Sequence, residues 1–128
     1  LSLLFGSGIP YADGAAKIHE GGAKLVLVTL GSKGVYYSAK NGGSRFDGII
    51  GVPRVKVADT TGAGDSFTGG LLFALTRREH PFEFDKEILE RDINFANSVA
   101  SVCVTRRGAI PALPSLEEVK DFMREHKL

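Results

Sequence analysis

The chain has 128 residues, 43% of them hydrophobic and 24% charged, the make-up of one soluble globular domain long enough to bury a core. Sixteen Lys and Arg stand against fifteen Asp and Glu, a formal net charge of +1, so neither a nucleic-acid nor a membrane surface is implied. The single cysteine, Cys103, excludes an internal disulfide and a CxxC zinc pair, and a reducing cytoplasm is the simplest setting for it.

In chain order, Asp13 to Gly22 reads as a short helix with Ala15, Ala16 and Ile18 on its apolar side and Gly21-Gly22 as its stop. LVLVTL, Leu25 to Leu30, is a continuous apolar run that fits a strand buried on both faces. Gly31-Ser32-Lys33-Gly34 is a turn into a second strand, Val35 to Ser38, and Asn41-Gly42-Gly43 reads as a hairpin tip. Arg45 to Val57 holds strand-like stretches interrupted by Gly48, Gly51 and Pro53. A long helix is expected from about Ala63 to Arg77, with Phe67, Leu71, Leu72 and Leu75 as its stripe. Another is expected from Asp85 to Val104, where Leu89, Ile93, Ala96, Ala100 and Cys103 share one face. The last starts after Pro114: Ser115 and Glu118 have capping-box spacing, and Leu116, Val119, Phe122 and Met123 form its core side. Strands first and helices later make an α/β domain, or the second half of one. No apolar run is long enough to span a bilayer.

The segment that carries chemistry is Asp59-Thr60-Thr61-Gly62-Ala63-Gly64-Asp65-Ser66-Phe67. Two carboxylates flank a small-residue turn that frees the backbone to approach a ligand, and a helix start follows with its open N–H groups and positive dipole end. That is a place for an anion, above all a phosphate in transfer, and a carboxylate beside it can draw the proton from an acceptor hydroxyl. Aspartate after a glycine turn is also a common helix cap, and spacing alone leaves both readings open. No Lys-Ser or Lys-Thr follows the glycines, so this is not a Walker A loop.

DTTGAGDSFTGG resembles the second signature of the ribokinase-like (PfkB) carbohydrate kinases. LVLVTLGSKGVYY looks like that family's strand and nucleotide-binding turn, and FANSVASVCVTRRGAIPALPS like the helix and loop that close the adenine pocket and a monovalent-cation site. The three matches stand in the family's order, and the GAIPALP ending looks most like the fructokinase branch. The resemblance implies an α/β, ribokinase-like (Rossmann-like) sheet with flanking helices. It implies ATP-dependent phosphorylation of a sugar hydroxyl, D-fructose to fructose 6-phosphate first, with ATP and Mg2+ as cofactors and a K+-type site. Residue by residue, Asp65 would be the catalytic base against the sugar, and the amides of Gly62, Ala63 and Gly64 the anion hole. Thr29, Gly31, Ser32 and Gly34 would line the nucleotide with Gly64, and Asn97 would lie near the adenine. Asp59 and Thr61 would hold the monovalent cation together with Cys103, Arg106, Gly108 and Ala112, mostly through carbonyl oxygens, the donors hard cations favour.

Plainer readings stand beside these. The turn at 29–34 could be a simple strand connection, Asn97 a polar helix residue, and Arg106 and Arg107 basic residues that suit a helix carboxy terminus. Cys103 reads as a small buried apolar residue. His19, His80 and His126 lack metal-ligand spacing and read as surface residues, and Arg77-Arg78-Glu79-His80 as a solvated helix end.

Family members are usually more than twice this long, and their first glycine-rich signature, β-lid and Asn-x-x-Glu motif are not found here. Residues 1–128 therefore read as the carboxy-terminal part of such a kinase domain. Alone it is expected to bind sugar poorly and turn over little, and self-association, as a homo-oligomer, is one way to cover an exposed edge. The alternatives kept open are a kinase for another sugar, a nucleoside or a 2-keto-3-deoxy acid, and an inactive truncated nucleotide-binding fragment.

Overall fold

The computed structural model describes residues 10–108 and 110–128. They fall into two units: one built on the described residues up to Gly51 together with Phe82–Phe84, the other on those from Val52 to Pro81 and from Asp85 to Leu128.

The first unit is a helix on a three-stranded sheet. Helix α1 (Tyr11–Glu20) follows Pro10, two residues earlier than the apolar pattern suggested, and ends at Gly21, with Gly22 in the left-handed region at φ 104°. Strands β1 (Leu25–Thr29), β2 (Val35–Asn41) and β3 (Ser44–Ile50) are antiparallel, with β2 in the centre. The expected hairpin is present: Asn41 faces Ser44 across Gly42-Gly43, and Gly42 takes φ 56°, as a two-residue turn demands. The LVLVTL run is not the strand buried on both faces. It forms β1, at the edge of the described sheet, and only Val26 of that strand is buried. Burial passes instead to β2, where Val35 to Ala39 are all enclosed. Gly48 does not interrupt β3. A Cβ there would sit 2.7 Å from the Tyr37 hydroxyl, so the glycine makes room for the ring across the ladder.

Ala15 packs with Val26 and Tyr36, flanked by Ile18, Ala23, Val28 and Leu30. The Tyr11 ring lies 5.8 Å from that of Tyr36. His19, expected at the surface, is 5% exposed. Its Nδ1 is 2.7 Å from the Ala23 carbonyl, which can only accept, so Nδ1 carries the proton, and Nε2 accepts from the Ser38 hydroxyl at 2.9 Å. Asn41 grips Phe84 from both sides of its amide: Phe84 N–H donates to Oδ1 at 2.9 Å, and Nδ2 donates to the Phe84 carbonyl.

The second unit is helical: α2 (Ala63–Thr76), α3 (Lys86–Val104) and α4 (Leu116–Glu125). Phe67, Leu71 and Leu75 of α2 and Leu89, Ile93, Ala96 and Cys103 of α3 are buried. Leu72, assigned to the stripe, is 55% exposed; the place belongs to Gly70, where an added Cβ would meet the Ala96 Cα at 3.2 Å. A glycine lets the two backbones close up there. Ala100 is only half-buried, while its neighbours Asn97, Ser98 and Ser101 are buried. Asp85 caps α3 by accepting from Ile88 N–H at 3.1 Å. The helix end at 77–80 is not wholly solvated: Arg78 Nη2 lies 3.1 Å from Asp92 Oδ2 on α3, and both side chains are largely covered. Helix α4 carries the full capping box, and Val119 is its buried residue; Leu116, Phe122 and Met123 are half-buried. No helix among the described residues is long and apolar enough to cross a membrane.

Candidate active site

The turn before α2 is shaped by Gly62, which holds φ 80° at the cap position, a conformation that strains any residue with a Cβ. No side chain caps the helix. Ser66 N–H closes the first turn on the Gly62 carbonyl at 2.8 Å, and Ala63 N–H is held by the Thr60 carbonyl at 3.2 Å. Of the three amides expected to face an anion, Ala63 is thus already engaged in a long turn bond. Gly64 and Asp65 keep the open donors of a helix start. Asp65 is the third residue of α2, exposed, and makes no hydrogen bond or ion pair among the described residues. The capping reading fails here: the cap is Gly62, and the carboxylate stands free at the positive end of the helix.

Asp59 is placed differently. Its Oδ1 accepts from Thr61 N–H at 2.9 Å, and its Oδ2 from Gly108 N–H at 3.1 Å, a residue 49 positions away. Hydrogen bonding from the Thr61 side chain first, then from the amides of Thr61 and Gly108, holds the carboxyl down to about 2. The chain just before the turn is tied to the end of α3 as well, for Ala58 and Asp59 N–H both donate to the Val104 carbonyl, at 2.7 and 3.2 Å. Cys103 is fully buried, as expected, and its carbonyl accepts from Arg106 N–H at 3.1 Å. Gly108 needs its glycine, at φ 87°. Ala112 is buried in a 3-10 turn, Ile110–Ala112. Five of the six implied cation-site residues therefore belong to two segments that Asp59 and Val104 staple together, with Ala112 a turn further on.

The donor chemistry suits a hard monovalent cation: one carboxylate held ionised and a set of peptide carbonyls, all oxygen. Among the described residues no group of three or more His, Cys, Asp and Glu gathers to hold a metal ion. Arg106 does more than sit at a helix end. Its guanidinium pairs with Glu118 on α4. Glu118 was read from sequence only as a cap partner, because nothing in a spacing of twelve residues announces the second contact.

Asn97 lies within α3, about 9 Å along the axis from Cys103. It is 3% exposed, and its Nδ2 has no hydrogen-bond partner among the described residues.

In the first unit, the turn after Thr29 is a 3-10 turn at Gly31–Lys33. Leu30 N–H donates to the Gly34 carbonyl at 2.8 Å, and Gly31 and Gly34 take φ 60° and 106°. A Cβ at Gly34 would lie 2.0 Å from the Ile50 carbonyl, so that position admits only glycine whatever else the turn does. Gly31 and Ser32 are exposed.

A small sheet with flanking helices makes this an α/β fold, and its structural neighbours are ribokinase-like kinases, a ribokinase of Thermotoga maritima among them. The model of the pfkB family of carbohydrate kinases matches residues 5–116, and the chain belongs to that family. It is 41% identical over 104 residues to a probable fructokinase-3 of Arabidopsis thaliana, covering 81% of this chain and 29% of that protein. Its fold superposes on a fructokinase of Xylella fastidiosa with bound ATP at a TM-score of 0.80 and 31% identity, covering 91% of this chain and 38% of the other. A double-mutant fructokinase of Vibrio cholerae O395, bound to fructose, ADP and a potassium ion, gives a TM-score of 0.79 at 30% identity over 94% of this chain and 37% of the other. The chain thus spans about a third of the length of these relatives.

Proposed function

We propose that the protein carrying this chain transfers the terminal phosphoryl group of ATP to a sugar hydroxyl, and that residues 1–128 are the part of its kinase domain that supplies base, anion site and cation loop. The observation that carries the reading is the placement of Asp65: an exposed carboxylate without a protein partner, at the third residue of a helix whose start no side chain caps. There it takes the proton of the acceptor hydroxyl. The open amide of Gly64 beside it, together with the amide of Gly62, meets the charge that develops on the phosphoryl oxygens. Ala63 joins them only by loosening its bond to Thr60. Mg2+, when bound with ATP, neutralises phosphate charge.

Thr29, Gly31, Ser32 and Gly34 are assigned to the nucleotide, and Asn97 to the adenine side, where a buried amide donor without a partner gains one from a ring nitrogen. Asp59 and Thr61, with the carbonyls of Cys103, Arg106, Gly108 and Ala112, are assigned to K+. Fructose is the favoured acceptor, supported by the fructokinases among the relatives. Ribokinase and aminoimidazole riboside kinase are also structural neighbours, so a panel of ketoses, pentoses, nucleosides and 2-keto-3-deoxy acids decides the acceptor.

The test is Asp65→Asn in the whole protein. Sugar-dependent ADP formation is expected to fall by about a thousandfold, the scale of a lost general base, while ATP affinity stays within about twofold. Loss of both together would mean that Asp65 is structural. The 128-residue chain alone is expected to give little turnover in the same assay, and robust turnover there would defeat the assignment of the sugar contacts to sequence outside it.

A further inference from the structure

The loop between α3 and α4 carries the carbonyls assigned to the cation, and something must fix it. One anchor is Gly108 N–H on Asp59. A second is the 3-10 turn, where Leu113 N–H donates to the Ile110 carbonyl at 3.2 Å. The third is Glu118. Its Oε1 accepts from Ser115 N–H at 3.3 Å, which completes the capping box, while its Oε2 takes the Arg106 guanidinium. One carboxylate therefore holds both ends of the loop, residue 106 where it leaves α3 and residue 115 where it enters α4. The cap does not require the second contact, since Ser115 Oγ already accepts from Glu118 N–H at 3.2 Å. Closing a loop by its ends removes chain freedom that the cation would otherwise have to remove on binding.

We infer that Glu118, through its ion pair with Arg106, is a positioning residue that sets the monovalent-cation affinity of the loop 105–115. This rests on the cation site proposed above. The pair is about two-fifths exposed on each side, at 37% and 43%, so its contribution to global stability is small and its effect is local, on the loop it braces. Glutamine separates the two jobs: Glu118→Gln keeps an oxygen for the cap and loses the charge that grips Arg106.

The measurement is the rise in melting temperature of the whole protein on titration with KCl, against choline chloride at equal ionic strength, read as the half-saturating K+ concentration. Glu118→Gln is expected to raise that concentration about threefold, the reach of an exposed charge pair. Ser115→Ala is expected to lower the melting temperature and leave half-saturation unmoved. The inference is overturned if Glu118→Gln leaves half-saturation unmoved, if Ser115→Ala shifts it as much, or if the wild type shows no K+-specific response. A K+ response that shifts as expected in a protein phosphorylating no sugar would leave the inference standing and remove the kinase reading instead.

Discussion

Two buried polar side chains, one in each unit, are treated in opposite ways. In the first, His19 has a partner for each ring nitrogen, Ala23 on one side and Ser38 on the other, so the ring pins the end of α1 to the central strand. In the second, Asn97 is as deeply buried, and its amide nitrogen has no partner among the described residues. A buried donor left unmet costs about 1–3 kcal/mol, which folding alone gives no reason to accept. A closed hydrogen-bond account marks structure, and an open one marks a place where a ligand or further chain is expected. The same contrast separates Asp59, with both oxygens engaged, from Asp65, with neither.

The largest expected effect tests the closed half of this contrast. His19→Ala removes a buried ring and strands the Ser38 hydroxyl and the Ala23 carbonyl, so stability should fall by about 3 kcal/mol, read from the urea midpoint at constant slope. A loss below about 1 kcal/mol would mean that the ring is a passenger rather than a staple. Asn97→Ala tests the open half. Its amide nitrogen gives up no bond, so stability should change by less than about 1 kcal/mol, while ATP affinity in the whole protein should weaken about fivefold, the size of one neutral hydrogen bond. If Asn97→Ala costs as much stability as His19→Ala and leaves ATP binding intact, the contrast collapses.

Local features were legible in the sequence, and features made by distant pairing were not. Helices α2, α3 and α4, the Ser115–Glu118 capping box and the Gly42-Gly43 turn each depend on residues within a few positions of one another, and each was found. Which strand would be central was not legible. LVLVTL is the more apolar run, yet the pairing order puts Val35 to Ala39 inside. Gly48 looked like a breaker because its reason, the Tyr37 ring, lies on another strand. His19 looked exposed for the same cause, since Ser38 is 19 residues away. In the site, the motif located Asp59 and Asp65 together. Only the fold shows that one is a clamp across to Gly108 and the other stands free.

The smallest effect concerns a pair that falls between the two extremes. Asp92 on α3 faces Arg78 at the end of α2, with Arg91 also near; burial raises its carboxyl above the usual range, and the two guanidinium charges oppose the rise without cancelling it. A carboxyl raised in the folded state binds its proton more tightly there than in the unfolded chain. Its contribution to stability is therefore fully present below the ordinary aspartate value near 4 and is lost as pH rises through the higher folded value. Most carboxylates that gain partners behave in the reverse sense. Asp92→Asn, which fixes the neutral form, should remove this component: the stability difference between variant and wild type should move in the variant's favour as pH climbs from about 3 toward neutrality. Denaturant midpoints taken across that range decide it. A difference that moves toward the wild type would show that Arg78 outweighs burial, placing the Arg78–Asp92 contact with the closed account of His19 instead of the open one of Asn97.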